Sequence, residues 1–280
     1  MIDSPLPDSA AVREERWKAE ARFFDEQSDK IHIAPIDPLT LARYRPPHRL
    51  RFNKEFRLHV LGGLQGKRVL DVGCGEGTNA ILLAKLGGAV VGIDISPNSI
   101  EIAGQRGRVN GLGDRVQFLC SPLETAPLPP ASFDIIWGEA ILHHVIAELD
   151  TVMKKLAEVA KPGAIVLFSE PVNFNRTLRR IRFLIPVHTD ATPDERPLEP
   201  AEMILLRAYV PDLRIRMFTL FGRLDRFILP DYNYERSSLW RRAVSGAIAA
   251  LDYVLLSLPG IRRLGGTAVL YGHIRRRRFG

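Results

Sequence analysis

A strand–turn–helix–strand unit with three glycines in its turn constrains this chain more than any other feature. The run Val-Leu-Asp-Val over 69–72 predicts a buried strand, and it stops at the turn GCGEG over 73–77. Residues 78–86 predict an apolar helix closed by a Gly-Gly pair, and a second apolar strand follows over 89–93. Glycines at the carboxyl end of the first strand let a ligand approach bare backbone, so the unit predicts a ligand site.

The acids around this turn indicate the ligand. The glycines have the spacing G-x-G-x-G, whereas a dinucleotide fingerprint has G-x-G-x-x-G and points helix N–H groups at a pyrophosphate. Asp71 stands two residues before Gly73, where a carboxylate repels a diphosphate but suits an ammonium and a sulfonium. Asp94, 21 positions after Gly73, is placed to accept both hydroxyls of a ribose. A cationic amino acid and a ribose together describe S-adenosylmethionine; another Rossmann-like nucleotide binder is the alternative.

Residues 69–77 with Asp94 resemble the first two motifs of the class I S-adenosylmethionine-dependent methyltransferases. SFDIIWGEAILHHV over 132–145 and KPGAIVLFSEP over 161–171 are similar to later motifs of that family, so the resemblance covers about residues 67–171. It implies an α/β fold with a doubly wound, seven-stranded, mostly parallel sheet of the Rossmann-like type. It also implies N-terminal helices and, with 213–220 and 267–274 as the last two strands, a C-terminal apolar helix inserted before the last strand.

The resemblance also implies the positions of the site residues. The expected cofactor-binding residues are Asp71, Gly73, Cys74, Gly75, Gly77, Asp94, Ile95, Ser121, Leu123 and Gly138. Ser121 stands where the family most often has an Asp that holds the adenine amino group, and Leu123 is expected against the adenine ring. Residues just after the fourth strand, including Gly138 and Glu139, face the transferring methyl group in this family.

Methyl transfer from a sulfonium is an in-line displacement, so the enzyme chiefly has to align the reacting groups. A hydroxyl acceptor also benefits from a general base, and His is the side chain best suited to that near neutral pH. The catalytic candidates are His143, His144, Glu139 and Glu170: either histidine as the base, and the glutamates to orient it or the substrate. The alternative is that the histidines only pack or position backbone. No metal site or hydrolase triad is expected, because the chain has neither HExxH nor G-x-S-x-G.

Composition is that of an ordinary globular protein. Of 280 residues, 46% are hydrophobic and 25% are charged. The two cysteines indicate neither a disulfide framework nor a metal site, and a reducing cytoplasm is their natural setting. The first residues lack the basic start and apolar centre of a signal peptide, so we expect a cytoplasmic location.

Four segments are expected along the chain. They are an N-terminal helical cap over 1–63, the S-adenosylmethionine-binding core over 64–171, a lid or substrate insertion over 172–211, and the last two strands with the inserted apolar helix and a basic tail over 212–280. In the family, N-terminal helices often cover the cofactor cleft, and Tyr44, Phe23 and Phe24 are the expected pocket residues. The alternative is that these helices only cover the sheet edge.

The positive charge is concentrated near the C-terminus. The net charge is +7, and residues 236–280 hold nine arginines and one acid, so the rest of the chain is close to neutral. Apolar side chains share one helical stripe over 239–258, a segment short of the ~20 apolar residues that a spanning helix needs. An apolar stripe with flanking arginines favours attachment to an anionic membrane surface through 239–278. A core or dimer helix is the alternative, so the oligomeric state stays open. No nucleic-acid partner is expected, because the arginines lack interleaved aromatic residues.

These patterns together predict an S-adenosylmethionine-dependent methyltransferase. The expected acceptor is a small molecule, lipid-like, quinone-like or a glycan, methylated at a hydroxyl. Two alternatives stay open: methylation at carbon, and a non-catalytic module that binds S-adenosylmethionine. The expected location is cytoplasmic, with peripheral attachment to the inner face of a membrane if segment 239–278 meets lipid.

Overall fold

The computed structural model describes residues 14–15, 17–19, 21–22, 25, 33–175, 196–229 and 234–276. The described residues between 14 and 25 are helical. The helices that follow are α1 (Pro38–Arg43), α2 (Asn53–Leu61), α3 (Thr78–Lys85), α4 (Pro97–Val109), α5 (Leu149–Val159), α6 (Pro200–Tyr209), α7 (Asp225–Ile228) and α8 (Leu239–Leu255). The strands are β1 (Arg68–Val72), β2 (Ala89–Asp94), β3 (Val116–Cys120), β4 (Phe133–Glu139), β5 (Ala160–Pro171), β6 (Arg214–Phe218) and β7 (Thr267–His273).

The seven strands form one sheet in the order β3-β2-β1-β4-β5-β7-β6. Strands β1 to β5 run parallel, and β7 is antiparallel to both of its neighbours. The predicted doubly wound, seven-stranded, mostly parallel sheet is therefore confirmed. The strand order changes direction between β1 and β4, and in such sheets ligands bind beyond the carboxyl ends of the strands at this point.

The core lies on both faces of the sheet, as the alternation of side chains along β1 shows. Leu70 and Val72 point to one face, where they belong to a cluster with α5 and α6. Val69 points to the other face, where it packs in a cluster with α2 and α3. Strands buried on both faces are rich in apolar residues, as β1 is apart from Arg68 at its start and the buried Asp71. Burying each such aliphatic side chain contributes roughly 1.5–3 kcal/mol to folding.

Two helices start at the edge where the parallel strands end. Ser96 caps α4, its Oγ accepting the N–H of Ser99 at 3.0 Å, and Pro97 is the first helical residue. Helix α3 begins after Gly77, which has a φ of +79° and provides no capping side chain. Both helix starts therefore lie beside the glycine turn.

Two element boundaries differ from the sequence prediction. Strand β4 continues through Glu139, because Gly138 and Glu139 pair with Phe168 and Ser169 of β5. These two residues are thus the end of a strand and do not follow it. Residues 50–61, which are followed by a Gly-Gly pair, predict a helix over that whole range, whereas α2 starts at Asn53.

Helix α8 lies between β6 and β7 in the chain. Within the described part of the chain, no helix has both the length and the apolar character needed to cross a bilayer. Half of the predicted lid or substrate insertion, residues 176–195, lies outside the described residues, as do Phe23 and Phe24. The division into four segments remains a prediction.

Candidate active site

The carboxyl ends of β1, β2 and β4 enclose a cavity of about 390 Å³. Pairing places Asp71 of β1 opposite Gly92 of β2 and Trp137 of β4, so the three strands end side by side. The lining residues are mainly apolar and come from these strand ends and the segments that follow them.

The structure brings most of the predicted site residues to this cavity or next to it. Those that line it are Gly73, Gly75, Asp94, Ile95, Ser121, Leu123, Glu139 and His144. The remaining predicted residues, which do not line it, are Asp71, Cys74, Gly77, Gly138, His143 and Glu170.

The glycine turn needs glycine for two different reasons. Gly73 has a φ of +63°, and a Cβ there would lie 2.6 Å from Cδ1 of Ile141, so the turn packs tightly against the segment after β4. Gly75 has a φ of +48°, yet a Cβ there would meet no described atom within 4 Å. Because Gly75 lines the cavity, its backbone is open to a ligand.

Asp94 at the end of β2 holds the turn in place. Its Oδ2 accepts the N–H of Gly75 at 2.8 Å, and its Oδ1 accepts the N–H of Ser96 at 3.0 Å. Burial raises the pKa of this carboxyl, and the backbone N–H groups oppose that rise. Each carboxylate oxygen has a second lone pair, so Asp94 can still accept hydrogen bonds from a ligand.

Asp71 is a buried acid with an unsatisfied oxygen. Its side chain is 1% exposed, and its Oδ2 has no hydrogen-bond partner among the described residues. Burial and, after it, the charge of Glu139 raise the pKa of Asp71 to about 8, although Lys54 and Arg57 act in the opposite direction. The sequence suggested a carboxylate here; the structure shows an acid that favours its neutral form at neutral pH.

Glu139 at the end of β4 is surrounded by partners from two helices. Its Oε2 lies 2.9 Å from Nη2 of Arg57 and 3.2 Å from Nζ of Lys54, and it accepts the Nδ2–H of Asn79 at 2.9 Å. Burial opposes the ionisation of Glu139, but the charges of Arg57 and Lys54 outweigh it and lower the pKa to about 2. Glu139 is therefore a fixed anion.

Arg57 and Lys54 are site residues that the sequence reasoning missed. Both lie on α2, and Arg57 is fully buried with its guanidinium 4.1 Å from the ring centroid of Trp137. Asn53 ties the same helix to β5, because its Nδ2–H donates to Oγ of Ser169 at 3.0 Å. The sequence does carry a signal for Arg57, which stands inside the apolar run FRLHVL. An arginine buried in such a run needs an acid nearby.

Glu170 fixes the segment that follows β4. Its Oε1 accepts the N–H groups of Ile141 and Leu142, both at 3.0 Å, and its Oε2 lies 2.9 Å from Nδ1 of His143. Glu170 is fully buried, so it reaches the cavity only through the residues it holds.

The two histidines have different surroundings. His144 lines the cavity, whereas His143 lies behind it and bonds to Glu170. Their ring centroids are 4.2 Å apart with the planes inclined at 44°. The pair thus connects the cavity wall to a buried carboxylate.

The N-terminal helical residues cover part of this edge. Trp17 lines the cavity, and Oδ1 of Asp25 accepts the Oγ–H of Ser96 at 2.6 Å and the N–H of Asn98 at 3.2 Å. Tyr44, a predicted pocket residue, does not line the cavity and packs instead against the cluster on the α2–α3 face. Among the described residues, no group of three or more His, Cys, Asp or Glu side chains could hold a metal ion.

Comparison with known proteins identifies relatives. A family model described as a methyltransferase domain matches residues 70–168. A ubiquinone biosynthesis O-methyltransferase from Idiomarina loihiensis is 37% identical over 210 residues, which are 69% of this chain and 82% of that protein. One from Bordetella avium is 33% identical over 168 residues, 59% of this chain and 61% of that protein. The chain thus spans less than two thirds of that relative's length.

The fold also matches solved structures. The crystal structure of the [4+2]-cyclase SpnF has a TM-score of 0.52 with 22% identity, over 97% of this chain and 99% of that one. At this identity the likeness shows the shared fold alone.

Proposed function

This chain belongs to the class I S-adenosylmethionine-dependent methyltransferase family, and on that premise we propose that it methylates a hydroxyl of a small-molecule acceptor. The observation that carries the proposal is one cavity lined both by the glycine turn with Asp94 and by His144. A cofactor-type surface and a proton-accepting side chain are the two parts that O-methylation needs.

The residues at the cavity fit S-adenosylmethionine. The unsatisfied Oδ2 of Asp71 beside the turn suits a cationic amino-acid group, and the open backbone at Gly75 admits a ligand. The residues proposed to hold the cofactor directly are Gly73, Gly75, Asp94, Ile95, Ser121 and Leu123, and those proposed to shape its site from behind are Asp71, Cys74, Gly77 and Gly138. When bound, the cofactor supplies an electrophilic methyl group on a sulfonium.

The two acids nearest the turn are proposed to play different parts. Asp71 is neutral when no further positive charge offsets the effect of burial on its pKa, and a nearby cation would favour its ionised form. Glu139, with a pKa of about 2, is too weak a base to take a proton from a hydroxyl near neutral pH. We assign Glu139 the role of a fixed anion that orders Lys54, Arg57 and Asn79 at the cavity wall.

His144 is the proposed general base, because it is the histidine that lines the cavity. His143 and Glu170 form the proposed positioning pair. A carboxylate accepting from His143 places that ring's proton on Nδ1, which fixes the orientation of the ring that lies against His144. The same carboxylate holds the backbone of Ile141 and Leu142, so it also shapes the wall beside His144.

The acceptor is proposed to be quinone-like or another lipid-like phenol or alcohol. The relatives named ubiquinone biosynthesis O-methyltransferases support this class, as does the predominantly apolar lining of the cavity. Such an acceptor dissolves in membranes, and we propose that the protein meets it at an anionic membrane surface through segment 239–278.

The test starts with the cofactor. Calorimetry should show binding of S-adenosylhomocysteine and no comparable binding of NAD. Isotope-labelled S-adenosylmethionine is then incubated with catechols, hydroquinones and simple alcohols, and mass spectrometry locates the transferred methyl group. A product labelled at carbon, or cofactor binding with no labelled product from any acceptor, would contradict the proposal and favour one of the two alternatives.

A further inference from the structure

Helix α8 presents its apolar side to solvent. All eight of its exposed residues are apolar, and the larger ones are Leu239, Trp240, Val244, Leu251 and Val254. Trp240 and Val254 are each 61% exposed. A helix on the surface of a globular protein normally turns this side towards the core. Nothing among the described residues covers it.

The polar side of α8 faces inward because it forms hydrogen bonds with the backbone of the protein there. Asp252, the one acid of the helix, is 4% exposed. Its carboxylate accepts the N–H groups of Leu220, Phe221 and Gly222, at 2.9 to 3.0 Å. Ser245 and Gly246 are buried on the same side. The orientation of the helix is therefore fixed by hydrogen bonds and close packing, and the apolar side remains outside.

The turn held by Asp252 leads to two more exposed apolar side chains. It leads into Leu224 and then into α7, where Phe227 is 74% exposed. The outward side of α8 together with Leu224 and Phe227 is called the α7–α8 face below. Exposed apolar surface of this kind marks a site of contact with a membrane or a protein.

Several arginines stand next to residues of the α7–α8 face in the sequence. Arg223 and Arg226 flank Leu224, Arg241 and Arg242 follow Trp240, and Arg262 and Arg263 follow the helix. Arg226 lies 4.7 Å from the ring centroid of Phe227, and Arg241 lies 5.3 Å from that of Trp240.

The sheet topology connects α7 and α8 to the sheet at the edge that carries the cavity. Strand β7 is antiparallel to both β5 and β6, so β6 runs parallel to β5 and ends at the same edge as β1, β2 and β4. Helices α7 and α8 follow the end of β6 and precede the start of β7. Both connections to the sheet are therefore made at the edge where the cavity opens.

We infer that the enzyme lies on an anionic lipid membrane through the α7–α8 face, with the apolar side chains among the lipids and the arginines at the head groups. The inference rests on the proposed function, because the membrane contact would serve to bring the cavity to an acceptor dissolved in the membrane. An apolar helix side with cationic neighbours and an aromatic residue is the composition of an interfacial helix. A second copy of this chain fits less well, since a symmetric pairing of the face would bring the arginines of one copy close to those of the other.

The experiment is co-sedimentation of the full chain with vesicles of phosphatidylcholine alone and with added phosphatidylglycerol, at low and high salt. We expect pelleting that increases with phosphatidylglycerol and decreases with salt. Phe227→Glu and Leu251→Glu should each lower the partition coefficient about tenfold or more, because each replaces a lipid-facing apolar side chain by a charge. Replacing Arg262 and Arg263 by Gln should lower the dependence on phosphatidylglycerol.

Ile204→Glu is the matched control. Ile204 is 75% exposed on α6, outside the α7–α8 face, and its replacement should leave pelleting unchanged. Binding of S-adenosylhomocysteine by each variant shows that the core is folded. Wild-type protein that binds S-adenosylhomocysteine but no vesicle overturns the inference, as does a dimer in light scattering that Leu251→Glu dissociates. Vesicle binding without S-adenosylhomocysteine binding overturns the proposed function and leaves the membrane contact standing.

Discussion

Arg57 and Glu139 form an ion pair at the cavity wall, with Nη2 of the arginine 2.9 Å from Oε2 of the glutamate. The arginine is fully buried under the ring of Trp137, while the glutamate stands at the end of β4 and lines the cavity. This pair keeps Glu139 ionised, and its two members act in opposite directions on the pKa of nearby Asp71, which Glu139 raises and Arg57 lowers. The distribution of charge in the site depends on it.

Breaking this pair from the cationic side should be costly. Arg57→Met is expected to lower the free energy of unfolding by about 1–3 kcal/mol, less than for a fully buried pair, because the Glu139 side chain is 36% exposed and keeps Lys54 and Asn79 as partners. Urea unfolding at pH 7 measures the change. The double variant Arg57→Met, Glu139→Gln should recover much of the loss, and a double variant as unstable as the single one would show that packing under Trp137 dominates.

Asp71→Asn should make stability less dependent on pH. The pKa of Asp71 rises from an ordinary value of 3.8 to about 8 on folding. The folded state therefore holds a proton that the unfolded state releases, so wild-type stability falls as pH rises between these values, by up to ~1.4 kcal/mol per unit. Unfolding of both proteins across this range measures the effect. The difference in unfolding free energy between wild type and Asp71→Asn should change between pH 3.8 and about 8 and stay constant below pH 3.8. Parallel curves of unfolding free energy against pH would show that Asp71 ionises normally.

Asp94→Ala should weaken cofactor binding. Losing hydrogen bonds to a ribose is expected to cost ~1–3 kcal/mol, or roughly a fivefold to 150-fold rise in the Kd of S-adenosylhomocysteine measured by calorimetry. The variant also loses the bonds to Gly75 and Ser96, so its melting temperature should be recorded as well. Asp114→Ala, at an exposed position, is the control and should bind normally. Unchanged affinity in Asp94→Ala would place the ribose elsewhere.

The histidine pair should separate into a base and a positioning group. With a hydroxyl acceptor, His144→Ala is expected to lower kcat by ~10²–10⁴-fold and to remove the limb on the acid side of the pH profile, where the rate rises as the base loses its proton. His143→Ala and Glu170→Gln should lower kcat less and keep that limb, because they act on the orientation of His144. Rate against pH for the three variants measures this. A larger loss in His143→Ala than in His144→Ala would exchange the two roles, and near-normal rates in both would leave alignment as the source of catalysis.

Much of the fold follows from local properties of the sequence. The apolar run of β1, the three glycines and the Gly-Gly helix stop predict a β-α-β unit, because backbone conformation and hydrophobic period are set by neighbouring residues. The family motifs then predict the seven strands. The ends of strands do not follow from local properties, since β4 reaches Glu139 only by pairing with β5.

The residues of the candidate site could be predicted from the sequence, but the contacts between them could not. The motifs placed Asp71, Asp94, Glu139 and the histidines near one another, because the parallel strands end at one edge. The sequence pattern showed neither that Arg57 pairs with Glu139 nor that Glu170 holds His143, since these partners are far apart in the chain. Residues whose role depends on a distant partner carry no local pattern.

The sequence by itself determined the order of strands and helices, the glycine turn and the existence of an apolar stripe over 239–258. Only the tertiary structure decided the protonation of Asp71, because that depends on burial and on the charges of Glu139, Lys54 and Arg57. It also decided that the stripe faces outward. The amphipathic pattern of α8 is the same whichever way it turns, and the direction is set by the carboxylate of Asp252, which bonds to the backbone of residues 220–222.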